Sequence, residues 1–192
     1  MLNIIVFYFI NIYMRYINDM RYIKSYNAFN ESLDSVEQML TAMSKFGSGI
    51  QQELAEEKLK SLTQVECTPL DELFDEDTIE KIKQRVHPKA KECYANSLHT
   101  AECLRDFGVE YCEGYLVFYG IPIDHAFNKM GDKYFDVTQE IALGHPVDEQ
   151  EYAVLGSWDP DTALMWMATG PYKCYGEVFN KEFFETHQEN VK

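Results

Sequence analysis

Val-Glu-Tyr-Cys-Glu-Gly-Tyr-Leu-Val-Phe-Tyr-Gly-Ile-Pro-Ile-Asp-His-Ala-Phe-Asn-Lys-Met-Gly-Asp-Lys-Tyr-Phe-Asp-Val-Thr, residues 109–138, is the stretch that decides the fold of this 192-residue chain. Gly120 and Gly131 divide it into three runs, 109–119, 121–128 and 133–138, that have strand composition. β-Branched and aromatic residues between turn-forming breaks read as strands joined by tight connections. In the first run Tyr111, Tyr115, Val117 and Tyr119 alternate onto one face with Glu113 among them. A carboxylate is costly to bury without partners, so Glu113 is expected either on the solvent face or as a hydrogen-bonded support to a site. Three strands in close succession predict an antiparallel meander.

Upstream, His-Pro-Lys-Ala-Lys-Glu-Cys-Tyr-Ala-Asn-Ser-Leu (87–98) passes from a proline-containing loop into a helical pattern that runs to Gly108. Leu98, Ala101 and Leu104 supply its packing face, while Cys93, Asn96 and Ser97 share another at spacings of i, i+3 and i+4. The expected fold is therefore α+β, with the Cys93 helix packed on an antiparallel sheet. At a helix start, unpaired N–H groups and the positive end of the helix dipole favour a thiolate and can hold an oxyanion. His125 and Asp136 sit on the second and third predicted strands, where a hairpin at Met130-Gly131-Asp132 brings them side by side. A nucleophile, a base and a group to orient the base are the parts that thiol acyl chemistry needs.

These contexts resemble the transglutaminase-like group of the papain-like cysteine enzymes. His125-Ala126-Phe127-Asn128 is similar to that group's His-Ala-aromatic strand, and Asp136-Val137-Thr138 to its aspartate just before Xaa-Thr. The likeness covers residues 85–140. It departs at Phe127, where the group usually has Trp, and in the short separation of 32 residues from Cys93 to His125, which suggests a minimal core. The resemblance implies a papain-like core and a Cys93, His125, Asp136 triad forming a thioacyl intermediate on a protein or peptide amide. Proteolysis, deamidation and transamidation all stay open as outcomes. Asn96, Glu113 and Asn128 are the expected substrate-binding or supporting residues. His87 is a lesser candidate to line the site, and Trp158 and Trp166 to wall an acyl pocket.

Composition narrows the alternatives. A formal charge of −15 and 46% apolar residues describe a globular, acidic protein. Binding to nucleic acid or to an anionic membrane needs a cationic face, so neither is expected. The competing reading is a non-catalytic interaction protein whose acidic surface binds a basic partner or mimics nucleic acid. Five widely spaced cysteines (67, 93, 103, 112 and 174) read as reduced thiols in a cytoplasmic protein, with Cys103 and Cys112 in the core. No Cys-x-x-Cys, His-Glu-x-x-His or phosphate-binding glycine loop occurs, and no metal or cofactor is expected.

Three regions are expected. Residues 1–19 are an apolar extension whose run 2–16 is shorter than the roughly 20 residues that span a bilayer. It is interrupted by Asn3 and Asn11, and membrane association is the lesser reading beside a start at Met14 or Met20. Residues 20–86 form a helical region: a helix over 30–46 capped by Asn30, a partner over 50–62, a short extended piece at 64–68 and acidic helices within 71–86. Residues 87–192 form the catalytic core, packed with 20–86 as one unit. Beyond Thr138 the chain reads as irregular, with helices at 161–169 and, capped by Asn180, at 180–188.

Overall fold

The computed structural model describes residues 32–118, 120–168 and 178–187. Residues from Ser32 onward make one unit by their contacts. The apolar extension, the Asn30 cap, Tyr119 and Cys174 lie outside the described residues.

Helix α1 (Ser32–Phe46) and helix α2 (Ile50–Ser61) form the expected hairpin. Gly49 supplies the positive φ of 58° at its turn, a conformation cheap only for glycine. Strand β1 (Thr63–Val65) follows, then helix α3 (Leu70–Leu73) and helix α4 (Glu76–Val86). Asp75 caps α4 by accepting from Thr78 N at 2.8 Å, a bond typically worth about 1 kcal/mol. Helix α5 (Cys93–Cys103) leads through a 3₁₀ turn into β2 (Val109–Phe118), β3 (Ile121–Met130) and β4 (Lys133–Phe135). A π-helical turn (Thr138–Leu143), strand β5 (Glu151–Trp158), helix α6 (Pro160–Ala168) and helix α7 (Val178–His187) complete the described chain.

The sheet order is β1-β5-β2-β3-β4, every neighbour antiparallel. The three strands expected from 109–138 are its β2-β3-β4 side, and two further strands extend it. Thr63–Val65, overlapping the short extended piece expected at 64–68, is an edge strand. Residues 151–158, read as irregular, form β5, because Tyr152 to Leu155 are buried on both faces and show no alternation. The outer strands approach each other beyond β1, where Cys67 bridges Tyr134 and Thr68 N donates to Tyr134 O at 2.7 Å.

One face of the sheet carries the helices. Val109, Tyr111 and Ala126 pack with Leu98 and Ala101 of α5, Leu104 just past its end, and Ile82 of α4. Val36 and Leu40 of α1 meet Tyr115 and Leu155. The opposite face gathers Cys112, Leu116, Phe127, Tyr152 and Val154 under Cys67 and Val147. The α+β class and the placement of the Cys93 helix on the antiparallel sheet are thus as expected. Among the described residues no helix is long and apolar enough to cross a membrane.

Candidate active site

Cys93 is the first residue of α5, half-buried, and the loop before it is held in an unusual path. Lys91, two residues earlier, has a φ of 67°, a left-handed conformation that costs a side-chain-bearing residue and persists only where neighbours enforce it. Asn96 holds the loop two residues before Lys91, at Lys89. Its Oδ1 accepts from Lys89 N at 3.1 Å, and its Nδ2 donates to Lys89 O at 2.7 Å and to Thr138 Oγ1 at 3.0 Å. Asn96, itself buried, therefore ties the entry loop of α5 to the turn that follows Asp136.

Strand β4 pairs with β3 only at Asn128, Lys129 and Met130. The outer edge of β3 from Ile121 to Phe127 is left open by β4, and Cys93 sits there, with the Ala126 backbone N–H and the His125 imidazole as hydrogen-bond partners of its sulfur. Burial pushes the Cys93 thiol up, but the bond to His125, the imidazole's charge and the Ala126 N–H outweigh it and leave the thiol more acidic than usual.

His125 is itself buried, and its Nε2 lies 2.6 Å from Asp136 Oδ2, which leaves Nδ1 for the sulfur. Burial disfavours charge on the ring, yet the Asp136 carboxylate and the bonds to Asp136 and Cys93 carry the imidazole up to about 10. A lowered thiol beside a raised imidazole is the direction in which each group favours its charged form next to the other. Asp136 stands one residue beyond β4 rather than on it, because the chain turns at once into the π-helical segment, whose first N–H groups donate to its carboxylate. Its Oδ1 accepts from Thr138 N (2.8 Å) and Gln139 N (3.2 Å), and its Oδ2 takes a further bond from Tyr152 OH at 3.1 Å.

Tyr152 is a residue that sequence reasoning missed. It reaches Asp136 from β5 because Gly114, the cross-strand partner of His125, lets β5 approach β2 closely: a Cβ there would lie 2.0 Å from Ala153 O. No local pattern in the sequence marks that contact.

Two expected supporting residues do other work. Glu113 is buried and satisfied, but not by the triad: its Oε1 accepts from Tyr111 OH (2.6 Å) and Val178 N (2.7 Å), and its Oε2 from Phe179 N (3.0 Å). It caps α7, which starts at Val178, so Asn180 is the third residue of that helix and not its cap. Asn128 is fully buried and donates from Nδ2 to Ser97 O (2.9 Å) and Glu110 O (3.1 Å), pinning α5 to β2 and β3 out of a substrate's reach.

Cys112 is fully buried, and Cys103 packs against the core, as expected. His87 caps α4 in a left-handed conformation and is exposed. Trp158 donates to Glu182 Oε2 at 2.9 Å and, like Trp166, packs against the main core. A cleft of about 560 Å³ between Gln64–Glu66 and Asp132–Tyr134 includes none of the three residues. Among the described residues no group of three or more His, Cys, Asp and Glu side chains is gathered for a metal ion. The chain matches no protein-family model, no curated protein and no solved structure.

Proposed function

We propose that the protein is a cysteine-dependent acyl-transfer enzyme of the transglutaminase-like, papain-like type, acting on a protein or peptide amide. The observation that carries this reading is the buried 2.6 Å contact of His125 Nε2 with Asp136, with the Cys93 thiol on the other side of the ring. An ordinary core cysteine is held as a neutral thiol, as at Cys112, where burial pushes the thiol well up. Cys93 moves the opposite way.

In this reading the thiolate adds to the amide carbonyl carbon, and the oxyanion is met by the Cys93 N–H, which has no helical acceptor in the first turn. The C–N bond breaks as the His125 imidazolium gives its proton to the departing amine, leaving a thioester on Cys93. A water or an amine then attacks the thioester carbonyl, its proton passing to His125, and the thiolate is released. Asp136 fixes the tautomer and balances the charge of the imidazolium throughout.

The test needs no substrate. Iodoacetamide titration with peptide mapping is expected to label Cys93 well before Cys67, Cys103, Cys112 and Cys174, with a midpoint below the ordinary thiol value of 9.0. Labelling of Cys93 no faster than the others would sink the enzyme reading and leave the acidic interaction protein in its place.

A further inference from the structure

A cavity of about 70 Å³ lies between α2, the start of α5, strands β2 and β3, and the start of α7, lined by Lys58, Tyr94, Glu113, Asp124, Leu155 and Asn180. It neighbours Cys93: Tyr94 follows Cys93, and Tyr111, which donates to Glu113, is close enough to Cys93 and Tyr94 to interact with both, while Asp124 lies on the opposite face of β3 from the His125 ring. Its walls carry two carboxylates against one ammonium. Glu113 is already met by three donors, and Lys58 is engaged too, with Nζ 5.9 Å from the centre of the Tyr115 ring and its charge acting on Glu113.

What is left over is all of one kind. Among the described residues the exposed Asp124 forms no ion pair and Asn180 Oδ1 is buried with no hydrogen-bond partner. A buried acceptor without a donor is costly, so the cavity calls for a group that brings donors. A carboxamide would bring an acceptor with its donors, and a hydroxyl would leave the excess negative charge unbalanced. An ammonium brings three donors, no acceptor and one positive charge in a small volume.

We propose that this cavity is a subsite for a primary ammonium group carried by the acyl donor close to the carbonyl that Cys93 attacks. The proposal rests on the nucleophile reading above and adds a substrate class to it. The ammonium could belong to a lysine side chain or to the amino terminus of a peptide.

Methanethiosulfonate reagents of matched size, one ethylammonium and one ethylsulfonate, test it on the whole protein. The thiolate displaces methanesulfinate and keeps the substituent as a mixed disulfide. Rates at Cys93 are referred to those at Cys103, so that the general pull of an acidic protein cancels. The ammonium reagent is expected to be favoured at Cys93 by about tenfold over that reference. Asp124→Asn and Asn180→Ala should each reduce the preference, while Asp132→Asn, on the far β3–β4 turn, should not. Fast labelling of Cys93 without charge preference, or a preference that survives Asp124→Asn, overturns the subsite and leaves the nucleophile reading intact. Slow labelling by both reagents overturns the two together. An α-acetylated lysyl chloromethyl ketone and an alanyl one with a free α-amine then separate the sources: the faster inactivator identifies side chain or chain terminus. Neither outpacing acetyl-alanyl chloromethyl ketone counts against the subsite.

Discussion

Asp136 and Glu113 are two buried carboxylates held in almost the same way, and they differ in one partner. Each accepts two backbone N–H groups from the start of a helical segment, Thr138 and Gln139 for one, Val178 and Phe179 for the other. Each also takes a tyrosine hydroxyl, from Tyr152 and from Tyr111. Asp136 has in addition the His125 imidazole at 2.6 Å, whereas the further charge acting on Glu113 is that of Lys58. Capping and burial are thus common to both and mark a structural device. In the proposed reading, the imidazole, with a thiol beyond it, is what turns one copy of the device toward chemistry.

The largest expected effect separates the two carboxylates outright. His125→Ala should slow alkylation of Cys93 at pH 7 by about 100-fold or more, since the thiolate loses its counter-ion, whereas Glu113→Gln should change it less than about threefold. Comparable slowing in both variants would break the comparison. Thermodynamics should rank the other way around: Glu113→Ala leaves three donors without an acceptor and should cost about 3 kcal/mol in urea unfolding.

The tyrosines give a finer cut. Tyr152→Phe and Tyr111→Phe each remove one bond to a carboxylate and should each cost about 1.5 kcal/mol. Only Tyr152→Phe should move the pH midpoint of Cys93 alkylation. The movement is downward, because Asp136 then has one fewer competing donor and holds the imidazolium more strongly. Equal midpoints in wild type and Tyr152→Phe would show that the hydroxyl is only structural.

A third carboxylate sharpens the contrast by lacking a tyrosine. Glu140, beside Asp136 on the π-helical turn, accepts from Leu70 N at 3.0 Å. Burial, opposed by the Leu70 N–H and reinforced by Asp136, Asp71 and Asp148, raises it to about 7 from 4.5. A raised acid adds stability below its unfolded value and loses it as pH rises through the folded one. Wild type should therefore lose stability relative to Glu140→Gln between pH 4.5 and 7, by a modest amount because the group is only half-buried. A difference between the two proteins that does not change with pH would contradict this assignment.

How far the sequence could be read follows from which contacts are local. The three strands of 109–138 announce themselves by composition and glycine breaks, and the start of α5 by its proline loop, so the neighbourhoods of Cys93, His125 and Asp136 were open to inspection. β5 is hidden because a strand buried on both faces has no period-2 pattern, whereas β1, only three residues long, shows as the short extended piece expected at 64–68. The partners of Glu113 and Asn128 are hidden from the sequence for a related reason. Burial and long sequence separation decide them, and Glu113 meets its acceptor role with N–H groups 65 and 66 positions away. Tyr152 shares that fate: its tie to Asp136 depends on a close approach at Gly114 that only the assembled sheet provides.

The sheet order carries a kinetic consequence. The β2-β3-β4 hairpins join residues near in sequence, but β1 waits for β5, Thr63 pairing with Val154, before Thr68 can reach Tyr134. Closing so long a loop costs entropy before any contact repays it, which places folding on the order of milliseconds to seconds. Until β5 docks on β2, Tyr152 is absent from Asp136, and the surroundings of the imidazole are incomplete. During refolding, the pH midpoint of Cys93 alkylation should then reach its native value only with the last long-range pairing and not with the early hairpins, making this thiol a clock for the closing of the sheet.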